Sequence, residues 1–469
     1  MIKKIKIYIT LAAVAFSSVS CLDKYPEDAI PEGDAIRTVE EANQAVIGIY
    51  AYMKNPNLYS GLLTLLPDLQ ADLAYAVEGY TNTYGNIWRW DILPTNTEVE
   101  AVYGTLNALI GKCNFLLERI AILEQEVDDE DYEKLQQFKG EALFARALAY
   151  SDLIKMYCKA YDPATAANEL GVVLVSSYSN TGTLKRASLK DSYQFVLDDL
   201  AQSATCLEPD ENENDESYYD TPYFTIYAVN ALYARVYLNM QEWDKAIEYA
   251  SKVIDSRKFK LSSTTEMIDS ETSYYQYMWQ YDHSTETIWK VGFTTTSYGG
   301  SLGQIFFNYD FNSFKPDYVP AEWVLNLYAD TDLRATTFFQ SYRTGYEHGL
   351  QWPLLAKYFG NQEFYEQNIL HVTMPKVFRL SEQYLIRAEA YCQKSNPEYG
   401  KGASDLTTLR QARYSNYGSA SLTEENWFKE ISEERVRELY MEGFRLNDLK
   451  RWGQQGLVDG FTRKPQANT

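Results

Sequence analysis

From about residue 38 to 256, apolar residues recur mostly at i, i+3, i+4 and i+7, the spacing that gives a helix one buried stripe. The clearest unit is TPYFTIYAVNALYARVYLNMQEWDKAIEYASKVIDS, residues 221–256. Ala228, Ala231, Leu232, Arg235 and Leu238 fall along one helix. After a break at Met240–Glu242, Trp243, Ala246, Ile247, Ala250, Val253 and Ile254 continue on a second. Small residues at Ala231, Ala234, Ala246 and Ala250 let the two helices approach closely, which is how a tetratricopeptide pair packs. The wording recurs in FARALAYSDL (144–153), LYARVYLNM (232–240) and LIRAEAYCQ (385–393). Each sets an arginine among alanines and carries a tyrosine, Tyr150, Tyr237 or Tyr391. The intervals are irregular, so the pattern predicts several helix pairs with long insertions between them rather than a uniform solenoid.

Between about 257 and 379 the helical period fades, and the chain becomes aromatic, Ser/Thr-rich and loop-like, as in SYYQYMWQYDH and TTTSYGGSLGQIFFNYDF. A second irregular stretch runs from Leu66 to Asn96. The two hold Trp88, Trp90, Trp279, Trp289, Trp323 and Trp352, so most of the tryptophans are expected outside the clearest helices. The predicted fold is mostly α. A tetratricopeptide-like helix-pair scaffold occupies about 38–256, a loop-rich aromatic insertion about 257–379, and C-terminal helices about 380–453, all in one domain over 21–469.

The first 20 residues stand apart from this fold. Lys3, Lys4 and Lys6 make a positive start, IYITLAAVAF is apolar but too short to span a bilayer, and SSVS is a small-residue exit, the layout of a secretory signal. Cys21 follows. A cysteine there is the acceptor for diacylglyceryl transfer in bacterial lipoproteins, although Ser18 stands where leucine is usual. The alternative is an ordinary cleaved signal beside a chance cysteine. Removing the segment takes away three lysines and no acid, moving the formal charge from −22 to −25. A chain so acidic lacks the basic footprint that nucleic acid requires, and anionic headgroups repel it, so a membrane would hold it through its lipid.

Metal and cofactor chemistry find little raw material. Cys113, Cys158, Cys206 and Cys392 lie far apart, and three of them fall in apolar helical patterns, which suggests buried free thiols. His283, His348 and His371 show no metal spacing. The acidic run EPDENENDESYYD (208–220) places Asp210, Asn212 and Asn214 at alternate positions. Asp215 stands where a calcium loop needs glycine and Thr221 where it needs its closing glutamate, so a solvated acidic loop is the reading. No cofactor is expected, with bound calcium at the acidic run as the alternative.

The segment ERVRELYMEGFRLNDLKRWG, residues 434–453, packs nine charged side chains into twenty positions. On a helix through 424–442, Glu434, Glu438 and Glu442 share one face and need cations to answer them, which Arg435, Arg437, Arg445, Lys450 and Arg451 can supply. Ile431, Val436, Leu439 and Tyr440 form the opposite, core-facing side, and Gly443 ends the helix. Together with FRLSEQYLIRAEAYCQKS (378–395), LTTLRQAR (406–413) and KGEALFARALAYSDLIKMY (139–157), this segment resembles the SusD/RagB family of outer-membrane lipoproteins, in which it is structural. Two departures are the long CKAYDPATAANELGVVLV after Tyr157 and the ending RKPQANT without a proline-rich closing segment.

The resemblance implies a surface-exposed lipoprotein of a Gram-negative outer membrane. Such proteins cap a TonB-dependent barrel of the SusC type and bind oligosaccharide, polysaccharide or, in some relatives, peptide; they are not hydrolases. Sugar rings stack their C–H faces on aromatic rings while amides and carboxylates take the hydroxyls, and 40 tyrosines offer such rings. In NTYGNIWRWD (82–91), Trp88 and Trp90 would project to one side of an extended stretch, as an aromatic pair does in the family's founding member. Tyr80, Tyr84 and Asn86 would flank them, and Tyr298 would approach from its glycine-flanked loop. The competing reading makes both tryptophans core residues. A glycoside hydrolase using two of the 65 acids is a further alternative, without a recognisable motif.

Overall fold

The computed structural model describes residues 35–78, 81–178, 182–207, 220–346, 351–460 and 463. The signal segment, Cys21, Tyr80, His348 and residues 208–219 of the acidic run lie outside the described residues. The long helices are α1 (Val39–Met53), α2 (Leu62–Gln70), α3 (Thr97–Leu123), α4 (Asp129–Tyr157), α5 (Leu189–Cys206), α6 (Ile226–Met240), α7 (Trp243–Ile254), α8 (Leu380–Gln393), α9 (Tyr399–Gln411), α10 (Trp427–Glu438) and α11 (Arg445–Gln454). Side-chain caps mark several starts: Thr38, Asp128 and Ser188 each accept from the backbone N–H three residues on.

Helices α3 to α9 stack in chain order, each packed on the next. The chain leaves this stack after α7 and re-enters it at α8, so α7 and α8 pack directly across the whole insertion. The break expected at Met240–Glu242 falls between α6 and α7, where Gln241 turns the chain with φ 64°. Ala234, Ala246, Ala250 and Ala390 seal the α6–α7–α8 contact around Leu238 and Ile386, all at most 2% exposed. Small side chains here let three backbones approach, as the spacing predicted.

The arginine of each recurring motif ties its helix to a later one. Arg146 on α4 donates to Asp199 on α5 at 2.8 and 2.7 Å. Arg235 on α6 donates to Glu382 on α8 twice at 2.7 Å. Arg387 on α8 donates to Asp405 on α9 at 2.8 and 2.7 Å. Bidentate pairing between a planar guanidinium and a carboxylate fixes direction as well as distance, so the three pairs set the register of the stack.

The stretches expected to be loop-like are packed. Ala74–Ala76 pairs antiparallel with Tyr318–Pro320, Thr287–Lys290 with Lys376–Arg379, and Phe339–Arg343 with Gln351–Leu355. A second hydrophobic cluster including Leu69, Tyr75, Tyr275, Trp279, Phe306 and Tyr318 lies around the first and third pairs, while Ile288, Trp289 and Phe378 of the second pack into the main core. The strand pair 74–76/318–320 joins the two irregular stretches into one body. Elements of three to seven residues are too short to show a period, and their aromatics bury rather than line loops.

The charged segment holds the insertion to the scaffold. Arg379 donates to Glu286 at 2.7 Å, Glu438 at 2.8 Å and Glu442 at 2.8 and 3.0 Å. Arg413 reaches both Glu286 and Glu438, and Arg334 pairs with Asp332, Glu434 and Glu438. Arg334, Arg379 and Arg413 are at most 1% exposed, as are Glu286, Glu434 and Glu438. Burial opposes ionisation, but the surrounding guanidiniums win and hold the Glu434 and Glu438 carboxyls well below the usual range. The core face is as predicted, with Ile431, Val436, Leu439 and Tyr440 buried. The helix is shorter than predicted: α10 ends at Glu438, Met441 has φ 57°, and Glu442 meets Arg379 and Lys357 from beyond the helix. Asp68 on α2 fixes the turn that leads into α11 by accepting from the N–H groups of Gly443 and Arg445 at 2.8 and 2.9 Å.

Candidate functional site

Residues 82–91 are not extended. Asn82 is buried and donates to the carbonyls of Val77 and Asp317 at 3.1 and 3.0 Å. Tyr84 turns the chain with φ 59°, a single helical turn spans Gly85–Trp88, and Trp90 has φ 63°. Trp88 and Trp90 therefore do not alternate along a strand. Both indoles instead face the guanidinium of Arg463, with ring centroids 4.2 and 4.6 Å from its carbon.

This cluster closes the C-terminal end of α2, where carbonyls lack helical partners and a cation is favoured. Trp90 Nε1 donates to the carbonyl of Gln70 at 2.7 Å, and Trp88 Nε1 to that of Ala74 at 2.9 Å. Arg463 donates to the carbonyls of Leu69 and Ala71 at 2.7 and 2.9 Å and to that of Trp88. Partial burial lowers the Arg463 pKa to about 10, leaving it charged at neutral pH.

The two tryptophans differ in access. Trp88 is partly buried and packs on the insertion's core, whereas Trp90 is 49% exposed and Ile92 and Leu93 beside it are exposed as well. Asn86 is exposed and accepts from Arg89 at 3.0 Å, and Tyr84 is half-buried. Tyr298 is 45% exposed. The glycines that follow it pack on Lys54 and Ser60, before the start of α2, and its ring lies 6.2 Å from Phe364. A nine-residue helix is ~13 Å long, so Tyr298 and Trp90 stand at opposite ends of α2 and are not brought together. Arg463 was invisible to sequence reasoning, because a lone arginine in a closing tail carries no pattern.

Burial pushes Asp68 up to about 7, but it is fully enclosed and engaged by two backbone N–H groups. Of the described histidines, His371 is buried against Phe307 and His283 pairs with Asp220. Among the described residues no group of three or more His, Cys, Asp or Glu is arranged to hold a metal, and no helix is long and apolar enough to cross a membrane.

The fold is a scaffold of stacked helix pairs held by a buried ionised network, with an aromatic cluster fixed at one end of α2. Residues 22–238 match a SusD-like family described as starch-binding associating with outer membrane, and residues 342–468 match the SusD family. The chain belongs to the SusD/RagB family. It is 22% identical to SusD-like protein P25 of Formosa agariphila, over 96% of this chain and 90% of that protein. In fold it is similar to a SusD superfamily protein of Bacteroides thetaiotaomicron, with TM-score 0.75, 22% identity and 89% of each chain covered. It is also similar to surface glycan-binding protein A of Bacteroides uniformis, with TM-score 0.69, 18% identity and 90% of each chain covered.

Proposed function

We propose that the protein is an outer-membrane lipoprotein, anchored through Cys21, that captures oligosaccharide or polysaccharide outside the cell and delivers it to a TonB-dependent SusC-like barrel. The observation that carries the reading is Trp90: an indole pinned at its nitrogen by Gln70 and on its ring by Arg463, yet 49% exposed. A rigid, half-exposed ring loses little freedom when a sugar face stacks on it. Trp88 orients the cluster through Arg463, Asn86 and Tyr84 flank it with polar groups, and Tyr80, outside the described residues, is proposed as a further contact. Tyr298 serves as a separate contact at the other end of α2. Family membership and the glycan-binding name of one structural neighbour support the same reading. The role is binding rather than catalysis.

The test is electrophoresis of the mature protein, residues 22–469, through gels containing plant, microbial and host polysaccharides. Retardation by a glycan that stays intact supports the proposal. Migration unchanged in every gel contradicts it and favours a peptide ligand or a capping role alone.

A further inference from the structure

The insertion contains a second cleft of about 220 Å³, which shares no lining residue with the Trp90 surface. Its walls come from the helix Tyr274–Gln280, the segment Arg334–Phe338, the hairpin strand Phe339–Arg343 and the turn at Ala356–Tyr358 with the residues that follow it. Gln276, Gln280, Gln340 and Gln362 line it together with Thr336 and Thr337. Among the described residues no Asp, Glu, Lys or Arg does, although 23% of the chain is charged. The neighbouring cavity of about 40 Å³ is the opposite, lined by Asp152, Lys155, Arg235, Lys376 and Glu442.

The groups in the cleft are in part uncommitted. Trp279 stands between this cleft and the neighbouring cavity, is 3% exposed, and its Nε1 is buried without a hydrogen-bond partner among the described residues. A buried donor left unpaired calls for a water or ligand. Gln276 spends its side-chain oxygen on the Ser273 N–H at 2.9 Å, while its amide nitrogen makes no such commitment among the described residues. Gln340 accepts from the Tyr342 hydroxyl at 2.7 Å. Tyr342 and Phe359, whose ring planes lie within 12° of parallel, complete the aromatic lining.

We infer that this cleft is a carbohydrate subsite, separate from Trp90, that takes one neutral sugar ring. Glutamine amides donate and accept at once, as sugar hydroxyls do, and the aromatic walls suit the C–H faces of a pyranose. The absence of a lining cation among the described residues disfavours uronic acids and sulfated sugars, whose charge would be buried unanswered. The volume lies below the ~300–1,000 Å³ of pockets for drug-sized ligands, so the occupant is a chain end or a side branch rather than a run of polymer.

The test is calorimetric titration of the mature protein with methyl glycosides of glucose, galactose, mannose, xylose and N-acetylglucosamine, and with methyl glucuronide and galactose 6-sulfate. One or more neutral glycosides should bind. Gln280→Leu/Gln362→Leu should weaken that binding about tenfold or more, the loss of two amide hydrogen bonds, while the charged sugars bind at least that much more weakly than the neutral one. Should the double variant melt early, Gln362→Ala, at a partly exposed position, reads the same loss. The glutamine variant should still be retarded by polysaccharide, so failure here is distinct from failure of the capture reading. Neutral glycosides that do not bind, bind the glutamine variants equally well, or bind more weakly than the charged sugars would overturn the inference.

Discussion

Replacing Glu438 by glutamine keeps the volume of the side chain and removes its charge from the centre of the ionic network. One carboxylate oxygen accepts from Arg379 and Arg413 at 2.8 and 2.9 Å, and the other from Arg334 and Arg413, both at 2.9 Å. An amide would turn an N–H group toward guanidiniums that are at most 1% exposed. Losing one partner of a buried ion pair costs ~3–5 kcal/mol, because the cations left behind stay desolvated. Here Glu286, Glu442, Asp332 and Glu434 still answer the three arginines, which places the expectation near 4 kcal/mol on that scale. At ~2 °C per kcal/mol, the low end for large domains, the melting temperature should fall by about 8 °C. Urea unfolding of the variant beside the wild-type protein measures the difference directly. A change within about 0.5 kcal/mol, the scale of an ordinary surface substitution, would refute the scaffold role assigned to the network.

Three other perturbations probe separate links. Glu434 and Glu438 are held below the ordinary carboxylate value of 4.5, so their contribution is present above that pH and lost as pH falls through the lower folded values. An acid titration of urea stability should therefore show the gap between wild type and Glu438→Gln narrowing below pH 4.5 and flat above it. Gly443 has φ 85°, and a Cβ there would lie 3.0 Å from the Thr64 carbonyl, so Gly443→Ala should cost ~1–2 kcal/mol by thermal melting; an unchanged melting temperature would count against that backbone reading. Arg463→Ala removes the cation between the two indoles and should increase Trp90 mobility, read as lower fluorescence anisotropy, with weaker retardation in the retaining gel; unaltered anisotropy would show that Gln70 alone fixes the ring.

The helix pairs were legible because an amphipathic helix repeats its pattern over many residues. The 221–256 unit shows both its helices and its break, and the small residues at Ala234, Ala246 and Ala250 mark the close approach. The motif arginines were visible as a repeat, while their carboxylate partners were not, because Glu382 lies 147 residues from Arg235. The insertion hid its order in strands of three to five residues, too short for an alternating pattern to stand out from an aromatic-rich background. At the candidate site the tryptophans were legible as residues but not as geometry. A local turn at Tyr84 and a distant Arg463 decide where the rings point, and neither leaves a periodic trace.

The capture of glycan on Trp90 is tested most directly by calorimetric titration of the mature protein and its Trp90→Ala variant with an oligosaccharide of whichever polysaccharide retards it. The variant, still folded by its melting curve, is predicted to bind about tenfold more weakly or worse, the loss expected when a central aromatic contact is truncated. Equal affinity in the two proteins would contradict the account and place the glycan elsewhere on the molecule.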